Sequence, residues 1–161
     1  GRVNSPSYFV RVGDGNGDRQ YKGFLRFDTS ALPNDAFVLM ARLVLHSRGA
    51  VGNSPFNTHG PLIVDSRRGP FSTNHRMRST DFQSTYSAPG IATMTYPDFH
   101  GKSVGEFDAR GRADIQTNMD TQYRLAFALD DNDDGLADFE RFISGLGHSG
   151  RPRLIVTYLA P

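Results

Sequence analysis

Along much of this chain every second residue is apolar. In residues 37–48 (FVLMARLVLHSR), Leu39, Ala41, Leu43 and Leu45 fall on one side, Arg42 and His46 on the other. A period of two is that of a pleated strand. Aromatic and β-branched content, and the Pro33-Asn34-Asp35 turn before it, decide against a helix. Leu125, Phe127 and Leu129 alternate in the same way with Arg124, Ala126 and Ala128. Shorter runs of strand character lie at 7–12, 21–28, 62–67, 91–95, 104–108, 139–143 and 153–159, with Gly, Pro, Asn, Asp and Ser between them. Only 109–119 predicts a short helix. About nine strands separated by turn signals, with little helix, predict an all-β sandwich of two antiparallel sheets.

Composition supports that reading. The bases are nearly all Arg and the acids nearly all Asp, with only Lys22, Lys102, Glu106 and Glu140 as exceptions. Lys and Glu favour helices, whereas Asp, Asn, Gly, Ser and Pro favour the turns that join strands. A length of 161 residues suits one domain, 1–161, with a core that needs no metal or disulfide staple. The formal charge is +1, so no overall field draws the chain to nucleic acid. No apolar run approaches the roughly 20 residues of a membrane span, and membrane insertion is not expected. Cysteine is absent, which excludes thiol chemistry and disulfides. The first residue is Gly1, so the sequence reads as a mature or trimmed chain.

The densest chemistry follows the strand that ends near Leu129. Asp130, Asn132, Asp134 and Asp138 occupy positions one, three, five and nine of a D-x-N-x-D-G-x-x-D pattern, with Gly135 at the sharp turn. Hard oxygen ligands at that spacing suit a structural Ca2+. Position twelve, however, is Arg141, and the preceding strand rules out an EF-hand. The alternative is a solvated acidic turn. Asp14, Asn16 and Asp18 repeat the alternation in the 13–18 turn, where a glycine-rich hairpin is the plainer reading.

Residues 49–60 (GAVGNSPFNTHG) form a loop too long for a tight hairpin, and such loops on a rigid sandwich are where binding residues tend to sit. Phe56, Asn57 and His59 are its ligand candidates; for His59 the competing role is a hydrogen-bonded anchor. Arg67 and Arg68, with Arg76 and Arg78, could meet an anionic group, against local ion pairing with Asp65 and Asp81. Five scattered histidines, no G-x-S-x-G elbow and no phosphate loop give catalysis no footing, and an enzyme is not expected. Trp is absent, leaving Tyr8, Tyr21, Tyr86, Tyr96 and Phe56 as aromatic platforms for a sugar.

The chain resembles the DNRLRE-type β-sandwich modules of secreted bacterial proteins, allied to carbohydrate-binding modules. The likeness rests on YKGFLRFDTSALP (21–33), ARLVLH (41–46) and SGRPRLIVTY (149–158), with the 49–60 loop, LIVD (62–65), DDNDD (130–134) and Ala137-Asp138. It implies a jelly-roll sandwich, secretion to the cell surface or beyond, and a non-catalytic role in binding polysaccharide or a cell-surface glycan. Members usually carry one more strand upstream of the segment equivalent to 8–12. The sequence starts after that strand, which a trimmed chain or a fold that manages without it would explain; the alternative role is a structural subunit that takes a strand from a neighbouring copy and builds a filament or sheath.

Overall fold

The computed structural model describes residues 3–4, 6–71 and 77–160. β1 (Phe9–Gly15) turns back through 16–18 into β2 (Arg19–Tyr21), the glycine-rich hairpin expected there. The strand expected over 21–28 breaks at Lys22, because the chain leaves the first sheet here and enters the second as β3 (Gly23–Asp28). Gly23 makes that crossing sterically tolerable: a Cβ there would stand 2.6 Å from Cγ1 of Val10.

β4 (Phe37–Val51) is the spine of the first sheet. β5 (Leu62–Arg67) and β6 (Ala88–Met94) belong to the second sheet, β7 (Lys102–Glu106) returns to the first, and β8 (Asp120–Phe127) goes back to the second. β9 (Phe139–Ile143) and β10 (Arg153–Leu159) end the chain in the first sheet. The first sheet has order β10-β4-β9-β1-β2 with β7 also on β4; the second has order β3-β8-β5-β6. Every pairing is antiparallel. The expected all-β sandwich is therefore what the chain forms, with ten strands among the described residues because 21–28 divides in two. The predicted 109–119 helix shortens to α2 (Ala109–Ala113), capped by the Asp108 side chain, which accepts from Gly111 N–H at 2.8 Å. A second short helix, α1 (Pro55–Thr58), lies inside the loop between β4 and β5.

Between the sheets, Leu43, Leu45, Val12 and Phe142 from the first meet Leu62, Val64, Ile91, Tyr123 and Leu125 from the second, all essentially fully buried. Where β6 approaches β7 the two sheets are tied by Thr95 N–H to the Val104 carbonyl at 2.9 Å and Asp108 N–H to the Ile91 carbonyl at 2.9 Å. The other side is looser. β9 and then β10 run antiparallel to β4, from Val51↔Phe139 to Phe37↔Leu159, with the excursion 144–152 between them. β1 covers the far edge of β9, but nothing among the described residues pairs with the far edge of β10, nor with the outer edge of β3.

Candidate functional site

The two acidic turns come together. Asp14 N–H donates to the Asp138 carbonyl at 3.0 Å, and Asp138 N–H returns a bond to Asp14 Oδ1 at 2.9 Å. Farther out, Gly17 N–H reaches the Gly135 carbonyl at 3.1 Å and Gly135 N–H reaches Asp18 Oδ1 at 2.9 Å. The 49–60 loop closes over the inner end of this joint: Asn53 N–H donates to Asp138 Oδ1 at 2.7 Å. Gly52 permits the approach, with φ of +74° and a Cβ that would fall 1.7 Å from the Ala137 carbonyl oxygen. Inside it, the buried His59 lies with Nε2 3.4 Å from Asp14 Oδ2 and Nδ1 2.7 Å from the Thr58 hydroxyl. Three chain-distant loops are thereby joined by polar contacts, in which Asp14 Oδ2 and His59 Nε2 are buried without a hydrogen-bond partner among the described residues.

The metal-site candidates do not share one place. Asp138 is 1% exposed and committed to Asn53, whereas Asp130 lies at the surface 3.9 Å from Lys22 Nζ. Asn132 donates to Asp134 at 3.0 Å, and Asp134 accepts Leu136 N–H at 2.7 Å. Beside them a side-chain hydrogen bond from Asp131, reinforced by its charge, raises the pKa of Asp133 above the usual carboxylate value. Among the described residues no group of three or more histidines and carboxylates is arranged to hold a metal ion.

The ligand candidates are likewise divided. Phe56 is half-buried, its ring 5.2 Å from that of Tyr96 and 5.1 Å from that of Phe127. Asn57 is exposed; His59 is an anchor and cannot touch a glycan from where it sits. Arg67 and Arg68 stand at the far end of β5, roughly 20 Å away at about 3.3 Å per residue. Arg67 donates to the Phe71 carbonyl at 3.3 Å, and Arg68 pairs with Asp114 at 2.8 Å. Neither pairs with the acids near it in sequence, because Asp65 is taken by Arg124 at 2.8 Å and Asp81 accepts the Arg78 backbone N–H at 2.7 Å. Arg76 lies outside the described residues.

Two other surfaces stand out. One is a cleft of about 360 Å³ between β10 and β3, floored by Phe27, Leu32, Leu154 and Val156. These four pack on the core yet remain partly exposed, and no residue of β10 is fully buried. The second is the outer face of β9, β1 and β2. Arg11 lies directly opposite Arg141 there, Arg19 lies beyond on β2, and Phe9, Tyr21 and Phe139 separate the cations. Strand alternation puts no carboxylate on that face, since Asp14 and Glu140 turn inward and are buried. Of the residues that form these two surfaces, only Tyr21 was among the candidates read from the sequence. No family model matches this chain, and no curated protein matches it in sequence.

Proposed function

We propose that this protein is a non-catalytic structural subunit of the cell exterior whose sandwich is completed by an extended strand from a second copy. The observation that carries this reading is the cleft between β10 and β3. Both its walls are unpaired strand edges, which present rows of backbone N–H and C=O groups. Its floor is core that water still reaches, at Phe27, Leu32, Leu154 and Val156. A polypeptide strand with apolar residues at alternate positions answers both features at once: its backbone pairs with an edge and its side chains fill the floor. A sugar chain offers no such regular set of donors and acceptors. Donation that passes from copy to copy does not close on itself, so the product is a filament. The extracellular placing rests on the family resemblance alone.

Light scattering and negative-stain electron microscopy over a concentration series test this. Concentration-dependent oligomers or filaments are expected, and Tyr158→Asp at the cleft rim should abolish them. Tyr158 is 38% exposed, so that variant is expected to fold; Val156→Asp on the floor is the stronger companion. A protein that stays strictly monomeric at millimolar concentration, or assemblies indifferent to both variants, would refute the reading.

A second reading, polysaccharide binding, is favoured by one observation, the arginine and aromatic face of β9, β1 and β2.

A further inference from the structure

β1 and β9 carry the same three-residue pattern, Phe9-Val10-Arg11 and Phe139-Glu140-Arg141. Antiparallel pairing about Arg11↔Arg141 lays each arginine over the other strand's phenylalanine: Arg11 is 5.4 Å from the centre of the Phe139 ring, Arg141 5.9 Å from that of Phe9. Like charges directly opposite one another on a sheet are unfavourable unless something offsets them. Stacking on the ring faces offsets part. No close ion pair does so among the described residues, although the buried Glu140 carboxylate interacts with the charge of its neighbour Arg141. Arg141 is anchored, donating to the carbonyls of Gly49 at 3.2 Å and Arg48 at 3.1 Å. Arg11 is exposed, and among the described residues its guanidinium donates no hydrogen bond.

Past Phe9 the face opens into a shallow cleft of about 440 Å³ lined by Tyr8, Phe9, Arg48 and His148, again without a carboxylate. Arg48 is exposed and has no ion-pair partner among the described residues either, and Tyr8 is 62% exposed. Cations and ring faces thus alternate along one strip, from Arg11 across Phe9 to Arg48.

We infer that this strip is a binding site for a carboxylate-bearing polysaccharide, a polymer of uronic acid residues. The inference rests on the polysaccharide-binding reading and gives it a place and a ligand class. Flat ring faces meet the C–H faces of pyranose rings, and free planar guanidinium forks meet carboxylates in bidentate fashion. A polymer with a carboxylate on each sugar offers the alternation the strip has. Acidic peptides have the charge but lack the stacking faces.

The test is calorimetric titration of the protein with polygalacturonate, its fully methyl-esterified form, a neutral glucan and polyglutamate at two salt concentrations. Arg11→Ala and Arg48→Ala, both at exposed positions, are measured beside the parent chain, with folding checked by circular dichroism. Polygalacturonate is expected to bind, the ester and polyglutamate to bind at least tenfold more weakly, and the double variant to lose at least tenfold in affinity. Equal binding of the ester, equal or tighter binding of polyglutamate, or indifference to the double variant would overturn the inference. Neutral glucan binding that the variants do not change would sink this strip while leaving polysaccharide binding in place; no binding of any polysaccharide would sink both.

Discussion

Arg124 and Asp65 form a pair whose removal has a calculable cost. Both are nearly fully buried, at 7% and 6% exposure. Arg124 Nη2 and Nε donate to Asp65 Oδ2 at 2.8 and 3.1 Å, while Asp65 Oδ1 accepts Gly90 N–H at 2.9 Å. The remaining arm of the guanidinium donates to the Ser84 carbonyl at 3.2 Å, and the group lies 4.6 Å from the centre of the Tyr86 ring. The pair therefore pins the segment before β6 against the outer face of the second sheet. Asp65→Asn strands a buried guanidinium, a change that costs about 3–5 kcal/mol. Arg124→Met with Asp65→Leu removes both charges but orphans the Ser84 carbonyl and the Gly90 N–H. At about 1 kcal/mol for each lost bond, the double variant should lose roughly 2 kcal/mol, less than the single change. Urea unfolding at constant m reads both values. The control is Glu106→Gln in the Arg42–Glu106 pair, whose side chains are 48% and 58% exposed and 3.9 Å apart. A surface pair of this kind is worth about 0–1 kcal/mol. If Asp65→Asn costs no more than Glu106→Gln, the reasoning from burial is wrong.

Two further outcomes follow from buried polar atoms. The Tyr123 hydroxyl is buried without a hydrogen-bond partner, and burial pushes its phenol pKa well up. Tyr123→Phe should leave stability unchanged or raise it by up to about 1–3 kcal/mol, and a lower thermal midpoint would count against an unpartnered hydroxyl. Burial raises the pKa of Glu140, with the Ser47 hydroxyl bond opposing it. The folded state then holds this proton more tightly than the unfolded chain does. The stability it contributes is full below the ordinary carboxylate value and is lost as pH rises through the folded one. Glu140→Gln should therefore be the more stable protein at pH 7, with the advantage shrinking as pH falls through the raised folded value and gone below about 4.5; a less stable variant at pH 7 would contradict this.

Strands were legible where one face is buried and the other mostly wet, as around Ala41, Leu43 and Leu45 against the exposed Arg42, because burial on one face writes a period of two into the residues, although Val44 is buried as well and Leu39 is exposed. The β8 segment is harder. Both its faces are covered, one by the core through Tyr123, Leu125 and Phe127, the other by the Arg124 pair and by Gln122, which accepts Phe71 N–H at 3.0 Å. Its polar positions look solvent-facing in the sequence and are buried. The 109–119 helix ended early for a reason outside its own sequence: Gly111 lies against Ile91, where a Cβ would stand 2.8 Å away, and Gln116 N–H turns to the Thr121 hydroxyl at 2.9 Å. Tertiary contacts, not propensity, set that boundary.

The site candidates show a different difficulty, since sequence proximity grouped residues that the fold engages separately. Arg67 and Arg68 fall close to Asp65 in the chain, yet one meets a carbonyl and the other meets Asp114 across the fold. The acidic run 130–138 looked like one loop around one cation, but Asp138 belongs to the buried joint with Asp14 and the 49–60 loop, and the rest belongs to the surface. The arginine face had a signal that was overlooked: Phe-x-Arg in two strand segments far apart in the chain. Taken singly, each says only that a phenylalanine and an arginine share one side of a strand. It becomes a stacked cationic strip only when the two segments pair antiparallel with the arginines opposed, and a slip of one residue would have put the two arginines on opposite faces of the sheet. Register, which the chain encodes through the burial of Val10, Val12 and Phe142, is thus what turns two weak patterns into a surface.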